Sequence, residues 1–186
     1  MRIGRMDKRF GKVSMNGRMA YVIMCVESYL VGKYPDRDWT LVSKRMWKAT
    51  CENWGDWVEE YSTIIPDVIL QYDKYDKEAF EEYLTRKEYN ALKVLYSGIT
   101  DGNEEDPSDE VNYMLNQPFE MAMVYEGTSI GDGKESLEII SAVETVLSRN
   151  EITPPDDAKV QFSSIEERNG WGNDFDGEYL SIVLNK

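Results

Sequence analysis

Between Gly17 and Asn150 the apolar residues recur at helical spacing, and each run is closed off by a capping side chain, a glycine or a proline. A chain punctuated in this way has few options besides packed helices. Ala20, Ile23, Val26 (or Cys25), Tyr29 and Leu30 predict a buried first helix that stops at Gly32 and Pro35. Asp38 is placed to cap a second helix carrying Leu41, Val42, Met46 and Trp47. Asn53 is placed to cap a third carrying Trp57, Val58, Tyr61, Ile64 and Ile65, until Pro66 breaks or kinks it. Residues 67–73 read equally as a helical turn or a short strand. Asp76 opens a helix with Phe80, and Thr85 with Glu88 three residues later forms a capping box for another that ends at Gly98. Ser108 and Pro118 each start a further helix, and residues 134–149, capped by Asp132 and ended by Asn150, carry Leu137, Ile140, Val143, Val146 and Leu147 on one face.

After Pro154 and Pro155 the period changes. Val160 and Phe162 alternate with polar residues, as do Leu180, Ile182 and Leu184, which predicts two short strands. The expected fold is therefore mainly α (α+β): a single-domain bundle of five to seven helices with a small C-terminal β element. Residues 1–18 form a basic N-terminal arm and 19–186 one globular domain, helical over 19–150 and β over 158–184. At 186 residues the chain is long enough to bury such a core without staples.

Charge narrows the choice of partner. Residues 1–50 hold 11 Lys/Arg against 4 Asp/Glu, whereas 51–186 hold 10 against 31, giving +7 and −21 and the net −14. An acidic body repels nucleic acid and anionic membranes and steers basic partners inward. No run approaches the ~20 apolar residues of a membrane span. The basic arm followed by apolar residues 19–26 imitates a secretory signal, but Glu27 interrupts the run and no small-residue cleavage site follows, so a cytoplasmic chain is expected. Cys25 and Cys51 lie far apart in no ligand-like spacing, which suits reduced thiols in that compartment.

The chain has no histidine, which removes the Ser/His/Asp and Cys/His triads, imidazole-bearing zinc and di-iron sites, and histidine bases together. A phosphate loop at 127–136 fails because Thr128 stands at the first glycine and Glu135 where Ser or Thr should hold magnesium. No cofactor is expected.

Residues 169–184, NGWGNDFDGEYLSIVL, resemble neither ordinary helix nor ordinary loop. Set as an EF-hand loop, Gly177 at the sixth position puts Gly172 first and Val183 last, and Gly172 at the sixth puts Trp171 fifth, so both registers fail. Asp174, Asp176 and Glu178 remain the candidates for a non-standard divalent-cation site, against a glycine-flexed turn in which Asn173 and Asp174 take turn conformations. With the Trp-rich helical first half (YVIMCVESYL, then CENWGDWVEEYSTIIPDVIL), this stretch resembles small bacterial proteins grouped with polymorphic-toxin immunity proteins. The resemblance implies a protein that neutralises a basic toxin by binding it and needs no active site.

The leading expectation is a non-enzymatic acidic domain that binds a basic partner protein. Its candidate residues are Glu104, Glu105 and Asp106 in the acidic loop 101–109, and Trp171, Asp174 and Asp176 near the C-terminus; none is assigned a catalytic role. The alternatives are a carboxylate-based or divalent-metal-dependent hydrolase, and a structural or regulatory domain.

Overall fold

In the computed structural model, which describes residues 8–103, 105–106, 108–125, 130–131 and 133–186, the chain is organised around one helix that is covered on every side. This is α1, Met15–Lys33, in which every residue from Met15 to Glu27 is buried. A helix apolar all round has no solvent face to orient it, so it belongs in the middle of the layers. Ser14 caps it by accepting from the Gly17 N–H.

Around α1 lie α2 (Thr40–Trp47), α3 (Trp54–Ser62), α4 (Pro66–Ile69), α5 (Lys77–Phe80), α6 (Arg86–Tyr96), α7 (Glu110–Tyr125) and α8 (Lys134–Arg149). α1 packs against α8, α7 and α2, and α7 packs in turn against α3, α4 and α8. The bundle is mainly α, as the spacing of apolar residues requires, and its buried side chains form a single hydrophobic core. Among the described residues no helix is long and apolar enough to cross a membrane.

Most helix starts follow the capping chemistry. Asn53 accepts from Gly55 and Asp76 from Glu78 and Ala79, whereas at α2 the N-cap is Trp39 and Asp38, one position earlier, accepts from the Thr40 N–H. Thr85 and Glu88 close the capping box in both directions. Thr85→Ala removes half of that box and is expected to cost about 1 kcal/mol. A thermal melt should register this as a fall of roughly 2 to 4 °C for a domain of this size.

Three further starts differ from the sequence reading. Pro66 does not end α3, which stops at Ser62, but opens the single turn of α4 at a position where a missing N–H costs nothing. Asp109, not Ser108, caps α7 by accepting from the Asn112 N–H. Pro118 does not begin a new helix; it sits buried inside α7, which continues because Met114, Leu115, Met121 and Ala122 on either side are held in the core. The expected cap at Asp132 lies outside the described residues.

The C-terminal β element is absent from the described residues. The segment after α8 is instead a series of 3-10 turns, Asp157–Val160, Arg168–Gly170 and Gly177–Leu180, with an isolated antiparallel bridge from Val13 to Ser164. The alternation is broken where it matters, since Ile182 is exposed and Val183 is buried.

Residues 1–7 of the basic arm lie outside the described part, but 8–18 are knitted into the body. Arg18, only 1% exposed, donates to the Phe10, Val13 and Gly133 carbonyls and to Ser136 Oγ. Arg9 donates to Tyr21 Oη, Glu144 and Asp157, joining this segment to α8 and the first 3-10 turn.

Candidate partner-binding face

The segment 160–184 is a sequence of short turns with little backbone bonding of its own, so its position depends on what it grips. Ser14 N–H donates to Ser163 O, Ile165 N–H to Lys12 O, and Asn16 N–H to Trp171 O. Further on, Phe175 N–H donates to Thr50 O and Gly177 N–H to Thr50 Oγ1. Gly177 has to be glycine here because a Cβ would lie 2.5 Å from the Trp47 ring and 2.7 Å from Thr50 Oγ1.

The last anchor is Glu27, a fully buried carboxylate in the middle of α1. Its Oε1 accepts from Ser43 Oγ (2.6 Å), Trp47 Nε1 (2.8 Å) and Ser181 Oγ (2.7 Å), and its Oε2 accepts from Ile182 N–H (2.9 Å). None of the four donors is cationic. Neutral hydrogen bonds therefore replace water around the carboxylate, and one side chain fixes α1, α2 and the C-terminal segment together.

So held, the segment carries an aromatic cluster on its outer side. The Phe162 ring meets Phe175 edge-on at 4.9 Å and lies 6.4 Å from Tyr179. Phe175 is half-buried and backs Phe162, which in turn lies against Tyr179; Phe162 is 51% and Tyr179 60% exposed. Three residues on, Ile182 is 42% exposed. Asp174, Asp176 and Glu178 are all exposed beside these rings in the sequence. Their shared field is felt by neighbouring groups. Partial burial and then Asp176 push the Tyr179 hydroxyl above its ordinary range. Burial first, then Glu52, Asp176, Asp174 and Glu178, push the Cys51 thiol up, which leaves it in the unreactive protonated form.

The residues expected from sequence have different fates. Trp171 is half-buried and packs edge-on against Trp54, with ring centroids 5.2 Å apart, so much of it serves as cement. Asp174 forms an ion pair with Arg168 and also accepts from Asn16 Nδ2. Asp176 caps the 3-10 turn Gly177–Leu180 by accepting from the Glu178 N–H. Among the described residues, neither Asp176 nor Glu178 is ion-paired. Nor, among the described residues, do three or more Asp, Glu or Cys side chains gather where they could hold a metal ion, so Asp174, Asp176 and Glu178 do not converge as a cation site. Positive φ falls on Arg168, Asn169, Gly170 and Gly172, not on Asn173 or Asp174.

The acidic loop is built on other elements. Glu104 lies outside the described residues. Glu105 and Asp106 line a cleft of about 500 Å³ between α4 and α7, with Asp67, Asp109 and Glu120. Asp109 is committed inward: its Oδ2 accepts from Thr100 Oγ1 and from the Asp101 and Gly102 N–H groups, closing the loop. A larger cleft of about 900 Å³ runs along α8 past Ser141, Thr145 and Ser148, and Arg9, Glu144 and Asp157 close its inner wall with their own ion pairs.

No protein-family model matches the chain, and neither a curated protein nor a solved structure does.

Phe162, Phe175 and Tyr179 were not among the residues expected from sequence, since Phe162 reads as one position of an alternating strand. Glu27 was legible only as an interruption of an apolar run. A lone carboxylate inside such a run is itself the available signal, because it has to be met by donors from elsewhere in the chain.

Proposed function

We propose that this chain is a non-enzymatic binding domain for a basic partner protein, and that the partner docks on the face made by Phe162, Phe175 and Tyr179 with Asp176 and Glu178. The observation that carries the reading is the pair of exposed rings Phe162 and Tyr179, packed together with Phe162 on Phe175, in a segment whose exposed Asp176 and Glu178 are not ion-paired among the described residues. Rigid aromatic side chains give large contact area at little entropic cost, and an acidic rim raises the association rate for a basic surface. The acidic body, −21 over residues 51–186, extends the same attraction beyond the contact itself. The resemblance to immunity proteins supports a more specific form of this reading, in which the partner is a basic toxin held inactive by occlusion.

The test is capture of partners by the tagged chain and by its Asp176→Asn/Glu178→Gln variant, with bound proteins identified by mass spectrometry. Asparagine keeps the cap at position 176, so the variant is expected to melt with the parent chain. A basic protein held by the parent and lost from the variant supports the reading, and its association rate should fall several-fold at low salt, with the difference closing at high salt. Equal capture of the same basic protein by both would overturn it.

A further inference from the structure

We propose that the C-terminal face is a receptor for arginine in particular, so that the partner presents one or more arginine side chains to Phe162 and Tyr179 and lysine does not substitute. This inference rests on the basic-partner reading and sharpens it. The molecule itself supplies the template. Arg9 lies over the Phe10 ring at 4.9 Å and over Tyr21 at 5.7 Å while donating to the carboxylates of Glu144 and Asp157. Its arrangement is two aromatic rings and two carboxylates around one guanidinium.

The C-terminal face repeats those ingredients on the outside. Phe162 and Tyr179 provide two rings whose centroids are 6.4 Å apart and inclined at 45°, both more than half exposed. Asp176, whose charge acts on the Tyr179 hydroxyl, and Glu178, next to Tyr179 in the chain, provide two exposed carboxylates that are not ion-paired among the described residues. A guanidinium is planar and weakly hydrated, so it can stack on a ring while its N–H groups reach a carboxylate. An ammonium is compact and keeps its water, so it gains the charge attraction and little of the stacking. Asp174 lacks this opportunity because Arg168 already holds it.

The experiment titrates the full chain with N-acetylated, C-amidated hexa-arginine and hexa-lysine peptides at one ionic strength, by calorimetry. Hexa-arginine is expected to bind roughly three- to five-fold more tightly than hexa-lysine. Tyr179→Ala, at an exposed position, should bring the two affinities together by weakening only the arginine peptide. Asp176→Asn/Glu178→Gln should weaken both. Equal affinities for the parent chain, or an arginine preference that survives Tyr179→Ala, would overturn the inference. In either case a loss of both peptides on neutralising Asp176 and Glu178 would leave the basic-partner reading standing. If neutralisation changes neither peptide, both readings fail.

Discussion

Glu27→Ala is expected to destabilise the fold by about 3 kcal/mol or more, because it strands four donors at once, two on α2 and two on the C-terminal segment. Each orphaned donor costs about 1 to 3 kcal/mol, and four converge here. Alanine also removes the cost of burying the carboxylate, which is why the net loss falls below the sum of the donors. At 2 to 4 °C per kcal/mol for a chain of this length, the melting temperature should fall by roughly 6 °C or more. Glu27→Gln separates geometry from charge. Three donors meet Oε1 and only the Ile182 N–H meets Oε2, so a glutamine that keeps its carbonyl at the Oε1 position loses a single bond. Its cost should be near the low end, about 1 to 3 kcal/mol, with faster amide hydrogen exchange at Ile182. Equal destabilisation by Ala and Gln would mean that the negative charge, and not the bonding pattern, is what the site requires.

Gly172→Ala should be comparably severe for a different reason. Gly172 has φ near +80°, and a Cβ would lie 2.1 Å from Ser14 Oγ and 2.6 Å from Ser14 Cβ. The left-handed conformation alone costs a non-glycine residue about 1 to 2 kcal/mol. Overlap in a packed site typically adds about 1 to 3 kcal/mol. The serine cannot simply swing away, since its Oγ caps α1 and lies 2.6 Å from Ser163 Oγ. A denaturant midpoint shift equivalent to about 2 to 5 kcal/mol is expected for the single variant. In a Ser14→Gly background, which carries its own loss of the α1 cap, Gly172→Ala should cost less than in the parent chain by most of the steric share, whereas an equal cost in both backgrounds would place it in the backbone.

Much of the helical bundle was legible because helix caps are local. Asn53, Asp76 and the pair Thr85 and Glu88 make their hydrogen bonds within three residues, so their meaning is complete in a short window of sequence. The apolar stripe of α8 was legible for the same reason, each buried residue being three or four positions from the next. Pro118 misled because its effect depends on whether the flanking turns are gripped by the core, which is a matter of tertiary contacts. The C-terminal strands failed likewise. Residues 160–184 take their shape from Ser14, Asn16, Glu27 and Thr50, all more than a hundred positions earlier, so no window of the segment holds the information. Asp176 could be picked out as a candidate from its surroundings in sequence, whereas exposure of Phe162 and Tyr179 is settled only by how those turns are seated.

The seating of residues 160–184 on 8–18 also sets a timetable for biosynthesis. α1 is made well before part of its cover, since it is apolar on every side and the stretch 160–184 that closes one of those sides follows it by more than a hundred residues. At about 5 to 20 residues per second, the roughly 150 positions between them keep α1 waiting for on the order of ten to thirty seconds. During that interval α1 can bury itself against α2, α7 and α8 as each emerges, but the side capped by Ser163, Trp171 and Ser181 stays open. Folding of this chain is thus finished only after position 182 has cleared the ribosome, and the binding face comes into being in the same step that closes the core.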